Sequence, residues 1–314
     1  MNRKVTYLLL LILGLAMIPA AHANEGGDQY PNGADNWLPG ALPPKGLYYI
    51  NYAGYYHGEL RNGSGDKVVL PDGSRPSVTA EFNSLRFIEV TPFKFLGADY
   101  GMHVVIPLVN QNINLGGSNG KFSLGDVIFS PLVLGWHKKN WHFVAAFDID
   151  APTGAYTKTD PRISIGTNYF GFEPVFAFTY LPKSGWEVSS RIAYNTKTTN
   201  DATNYHSGDD FHVDYNVGKH LGPWVVGFNG YLLEQTIDDT IAGQTVAASP
   251  GVFDAGRRGQ VFAYGPTVGY TFKNHLMLVA SWNHEAEVRN RFSGDKVWFK
   301  MVVPVSGLLS KPKQ

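Results

Sequence analysis

The chain has no cysteine, which rules out a disulfide framework and any thiolate metal site. Charge is scarce as well. Asp, Glu, Lys and Arg make up 17% of the 314 residues, and 26 acids against 26 bases leave a formal net charge of zero. That balance offers no basic surface, so nucleic acid is not expected as a partner. Beyond the first stretch, every apolar run is short and interrupted by Gly, Pro or a charge. A membrane-spanning helix needs about twenty apolar residues, so a helical membrane protein is excluded; a soluble β protein and a β-barrel both remain. Catalytic signatures are missing too. No HExxH, GxSxG or phosphate-cradling Gly-rich loop with Lys occurs, so no cofactor is expected and the chain does not read as an enzyme.

What is present begins with a leader. Arg3 and Lys4 precede an unbroken apolar run from Tyr7 to Ile18, Pro19 breaks it, and Ala21-His22-Ala23 supplies the small-x-small pattern of a cleavage site. This order predicts a secretory signal over residues 1–23. Residues 24–45 hold several Gly, Pro and Asn and no periodicity. They are expected to fold into or under a lumen as a plug. Aromatics reach 14% and glycine 35 residues, a composition suited to strands and tight turns.

From Gly46 onward the sequence alternates. Phe211, Val213, Tyr215 and Val217 interleave with His212, Asp214 and Asn216. Trp186, Val188, Ile192 and Tyr194 stand opposite Glu187, Ser189, Arg191 and Asn195, and Leu278, Ala280 and Trp282 opposite Ser281, Asn283 and Glu285. Strand side chains change face at every residue, so each run has one greasy and one polar or small face. About a dozen such runs occur, near 46–58, 80–94, 98–109, 124–137, 141–151, 165–181, 185–196, 209–220, 223–235, 258–272, 275–288 and 295–305. Short turns at 138–140, 182–185, 221–222 and 273–274 alternate with longer polar stretches at 59–79, 110–123, 152–164, 197–208 and 236–257. That asymmetry, and aromatics gathered toward strand ends such as Trp136 and Trp141, fit an outer-membrane barrel. A soluble β-sandwich also alternates, but its strands usually run only about five or six residues. The prediction is all-β: one transmembrane antiparallel β-barrel of about twelve strands over 46–305, followed by a tail, 306–314.

The polar faces nominate a lumen lining: Asp126, Asp148, Asn168, Glu187, Arg191, Asn195, His212, Asp214, Asn216, Glu285, Glu287 and Arg289. Both signs occur, which suits an internal salt-bridge lattice as well as an open pore. His137, His142, His206, His212, His220, His275 and His284 show no regular ligand spacing, so they are read as loop or lumen residues and no metal site is expected. A membrane-embedded hydrolase is the enzyme alternative. It needs an outward Ser and His together, and His142 falls on the polar face.

The segments Leu124-Gly125-Asp126-Val127, Pro131-Leu132 and Gly135-Trp136 resemble the GD…P…GW stretch of the outer-membrane "meta-pathway of phenol degradation" (SphA-like) family. Ala151-Pro152-Thr153-Gly154-Ala155-Tyr156, Ile165-Gly166-Thr167-Asn168 with Pro174, and Tyr205-His206-Ser207-Gly208 with Asp214 continue the likeness. So do Gly230-Tyr231 with Gln235 and Asp238, Tyr264-Gly265-Pro266 before Tyr270, and Pro31, Gly33 and Pro43-Pro44-Lys45-Gly46-Leu47-Tyr48. The resemblance spans nearly the whole predicted mature chain. It implies an outer-membrane channel for small hydrophobic or aromatic compounds, with outer-membrane lipid, such a solute and the barrel-assembly machinery as partners. Gly and Pro in these motifs fit turns, bulges and kinks, so they are expected to shape the barrel more than touch a ligand. One departure stands out: the chain does not end on an aromatic residue, and the assembly signal is expected internally, around Trp298 and Phe299. A barrel that only binds partners or plays a structural role is the alternative.

Overall fold

The computed structural model describes Gly27 and residues 29–305. The predicted leader and tail lie outside these residues. Twelve strands form the wall: β1 (Gly46–Leu60), β2 (Ser77–Phe95), β3 (Ala98–Asn114), β4 (Val127–Lys138), β5 (Trp141–Ala151), β6 (Gly171–Tyr180), β7 (Trp186–Lys197), β8 (Asp210–Leu221), β9 (Trp224–Gln235), β10 (Gln260–Thr271), β11 (Met277–Arg289) and β12 (Phe292–Pro304). Each pairs antiparallel with its neighbours, and β1 pairs with β12 from Tyr48↔Pro304 to Leu60↔Phe292, which closes the ring. Closure satisfies every strand edge within the wall, the requirement for backbone in a bilayer. A sandwich is thereby ruled out.

The connections sort by end. Leu96–Gly97, Lys139–Asn140, 181–185, Gly222–Pro223 and 272–276 are short, and the start of β1 and the end of β12 share their side. Leu96 (φ 52) and Gly97 (φ 74) are both left-handed, as a two-residue hairpin of this twist demands. The opposite end carries the long loops, with one departure from the predicted asymmetry: β11 and β12 are joined there by Asn290–Arg291 alone. Two predicted boundaries also shift. Residues 165–170 belong to a loop before β6, and the stretch read as a loop at 110–123 continues β3 to Asn114 and returns as Ser118–Leu124, paired upon it.

The outer face is apolar. Phe176, Trp186, Trp224, Phe228, Leu278, Trp282 and Phe299 all point away from the interior and are more than 40% exposed. Water would not tolerate so continuous a surface, but lipid does. Around the short-turn end, Trp141 lies 4.7 Å from Tyr180 and Trp224 4.8 Å from Tyr270, ring centre to centre. Such rings form the interfacial girdle of a barrel.

Several motif residues do brace the wall. Asp126 accepts from Gly154 N at 2.9 Å and from Thr167 N and Oγ1 at 2.8 and 2.7 Å. A Cβ on Gly154 would stand 2.7 Å from Gly166 Cα, so the two glycines let the loop strands touch. Three stretches far apart in sequence thus clasp one another at the long-loop end.

Candidate functional site

The interior is filled by residues 29–42. Their path is set by complementary gaps in the strands. Trp37, 5% exposed, lies against Gly218 of β8, where an added Cβ would meet its Cη2 at 2.1 Å. Leu42 occupies the place of a side chain at Gly135 of β4, where a Cβ would approach within 2.6 Å. Gly40 runs over the backbone of Phe178 with no room for a side chain. Ala34 and Leu42 pack with Ile50, Ile88, Val90, Val133, Val144 and Trp298 in one apolar cluster. Burying a leucine there contributes about 1.5–3 kcal/mol. Gly218→Ala is therefore expected to displace Trp37 from its slot. The variant should show faster proteolysis of the segment in the folded barrel, and an unchanged cleavage rate would refute the packing argument.

Polar anchors complete the seating. Asp214 Oδ1 accepts from Gly33 N at 2.9 Å, and its Oδ2 from Tyr30 OH at 2.7 Å and Asp35 N at 3.1 Å. Leu38 N donates to Glu187 at 2.8 Å, Trp37 Nε1 to Thr267 at 3.0 Å, and Lys300 Nζ to Asn36 Oδ1 at 2.8 Å. His212 Nδ1 lies 2.8 Å from Asn32 Oδ1. Arg191 lies over the Tyr30 ring, 3.9 Å from its centre, and pairs with Glu173 at 2.5 Å and Asp148 at 3.3 Å. Asp35 receives Tyr52 OH at 3.0 Å and Arg86 NH1 at 3.1 Å. Burial pushes its carboxyl upward, but Arg86, Lys300 and Arg191 outweigh burial and hold it well below the usual range. Burial pushes the Tyr30 hydroxyl well above its ordinary value, with Arg191 only partly offsetting this, so it stays a donor. Opposite charges inside a low-dielectric bore are thus paired throughout this cluster.

Of the nominated residues, Asp148, Glu187, Arg191, Asn195, His212, Asp214, Asn216 and Glu285 are all at most 6% exposed and face inward. Asp126 stands at the loop clasp, not in the bore. Three nominations are corrected. Asn168 is exposed in the 152–170 loop, left-handed at φ 62, with its amide on Asn200. Glu287 and Arg289 are exposed because the β10–β11 register shifts between Phe262 and Ala263. Such a bulge inserts one residue and exchanges faces beyond it, so Val288, 5% exposed, takes the inward place. Arg86, His103, Glu173 and Lys300 were missed. The signal was available: each has the parity of an inward neighbour, as Arg86 does with Ser84 and Ile88.

Between segment and wall lies a cavity of about 40 Å³ bounded by Tyr30, Asp35, Tyr52, Arg86, Val105 and Trp298 among others. Dry cavities that hold benzene measure about 150 Å³. With the segment seated, the space admits water-sized molecules and no aromatic ring.

The family model described as "Putative MetA-pathway of phenol degradation" matches residues 58–301. No curated protein matches the chain. Among solved structures, an outer membrane channel from Pseudomonas putida F1 is similar, with a TM-score of 0.69 and 16% identity over 84% of this chain and 96% of that one. A mutant of the TodX monoaromatic hydrocarbon channel (TM-score 0.44, 10% identity, 87% and 92% covered) and a Pseudomonas aeruginosa FadL homologue (0.37, 9%, 88% and 94%) share less. The first likeness is one of fold; nothing rests on the other two.

Proposed function

We infer function from one premise: this chain belongs to the family described as "Putative MetA-pathway of phenol degradation". On that premise we read the barrel as a passive outer-membrane channel for small hydrophobic or aromatic solutes. One observation carries the reading. The space between segment and wall is flanked by the rings of Tyr30, Tyr52 and Trp298, with Arg86 and His103 at its edge. Ring-lined surface with a few polar groups is how proteins hold small apolar ligands. Residues 29–42 act as a plug in this reading, because the cavity between them and Tyr52 and Trp298 is too small for the solute. The inward charges line the path that opens when they move.

The barrel is not a hydrolase on this view. His142, the imidazole considered for that role, faces His137 at 2.7 Å instead of an outward serine. Outer-membrane lipid surrounds the wall, and Phe299, 58% exposed on β12, supplies the aromatic that barrel-assembly machinery reads. Liposome swelling with aromatic solutes, against sugars of equal size, tests the function. Faster entry of the aromatics is expected, whereas complete impermeability would leave the structural reading in its place.

A further inference from the structure

His137 and His142 are five apart in sequence, a spacing with no metal signature. The β4–β5 hairpin brings them face to face. They are register partners across the Lys139–Asn140 turn, and their Nδ1 atoms lie 2.7 Å apart with ring centres at 5.0 Å. Both side chains follow the inward parity of Gly135 and Val144, so they stand at the short-turn mouth of the bore. Two neutral imidazoles at this distance share one proton between two lone pairs. A metal ion can use both Nδ1 atoms once the donor ring shifts that proton to its own Nε2, so each ring stays neutral and offers one lone pair.

We propose that His137 and His142 form a transition-metal site at this mouth, binding a divalent ion of the copper or nickel class through their two Nδ1 atoms. Asp99 supports the assignment. Its Oδ2 lies 3.9 Å from Nε2 of His137, on the side of the ring away from His142, and its Oδ1 is held by Lys94 at 2.7 Å. At 3.9 Å Asp99 acts as a nearby negative charge, which favours a cation bound at the imidazole pair. Ligand type favours the ion. Two imidazole nitrogens with water suit copper and nickel, and copper(II) stands highest among the divalent first-row ions for nitrogen ligands. Both rings are partly exposed and need only turn about their side-chain bonds to converge. Among the described residues no group of three or more His, Cys, Asp or Glu forms a metal cluster, so water fills the remaining positions.

Copper(II) titration of the full chain in detergent tests the site. One equivalent with a two-nitrogen electron-paramagnetic signature is expected. His137→Gln or His142→Gln should each weaken binding at least about tenfold and remove that signature. Asp99→Asn should weaken binding by less than about tenfold while keeping both nitrogens, the effect of losing one nearby exposed charge. Heat-modifiable gel mobility checks that each variant remains a closed barrel. No uptake by the wild type, or equal uptake by the His137→Gln/His142→Gln double variant, would overturn the proposal.

Discussion

Removing residues 29–42 is expected to raise single-channel conductance by about tenfold, to that of a bare twelve-stranded bore. Barrels of roughly eight strands are filled by their own side chains, and those of about sixteen leave a wide aqueous channel. Twelve strands lie between, so the segment decides whether this bore conducts. The cavity between the seated segment and Tyr52, Arg86 and Trp298 measures about 40 Å³, a space for isolated waters and not for a hydrated ion. The measurement is planar-bilayer conductance of the truncated protein against the full chain. Equal conductance in the two would sink the idea that the segment obstructs the pore. Because the wall's own hydrogen bonds run strand to strand, the truncated chain should still close, which gel mobility can verify.

The second large effect is expected at Asp214. One carboxylate receives Tyr30 OH, Gly33 N and Asp35 N. Hydrogen bonds to a charged group are worth about 1.5–3 kcal/mol each, and emptying one side of a buried polar cluster costs on the order of 3–5 kcal/mol. Asp214→Ala should thus shift the segment toward release by roughly a hundredfold or more, since about 1.4 kcal/mol is tenfold. Cleavage of the segment by added protease in the intact barrel reads the shift directly. Asp214→Asn keeps the size and one acceptor, so its rate should fall between those of wild type and Asp214→Ala. If all three proteins were cut equally slowly, Asp214 would not be the anchor.

Much of this architecture was legible in the residues. Alternation in Trp186–Asn195 and Phe211–Val217 assigns the inward face of β7 and β8 correctly, because a closed wall between lipid and a polar bore enforces a period of two. The same rule failed where the backbone broke period. The β11 bulge sends Glu287 and Arg289 outward, and nothing in Glu285-Ala286-Glu287 marks an extra residue. Asn168 was misplaced for a different reason. Thr167, its neighbour, is held by Asp126 from another loop, a tertiary contact that overrides local pattern. Partnerships across the bore were equally hidden. Asp214 could be placed inward by parity, but its bonds to residues 179 to 184 positions earlier depend on the path of a segment without periodicity. The His137–His142 pair was concealed by spacing, since it exists only once the turn between them folds.

The segment precedes β1, yet its anchors run right round the ring: Tyr52 on β1, Arg86 on β2, Thr179 on β6, Glu187 on β7, Asp214 on β8, Thr267 on β10 and Lys300 on β12. Only residues 43–45 connect Leu42 to Gly46, a tether that reaches at most about 14 Å. Held on opposite walls at once, the segment therefore fixes the start of β1 at a short, set distance from the strands across the bore. The segment then serves as a cross-brace: it ties strands that share no ladder, so a closed ring holding it resists being flattened.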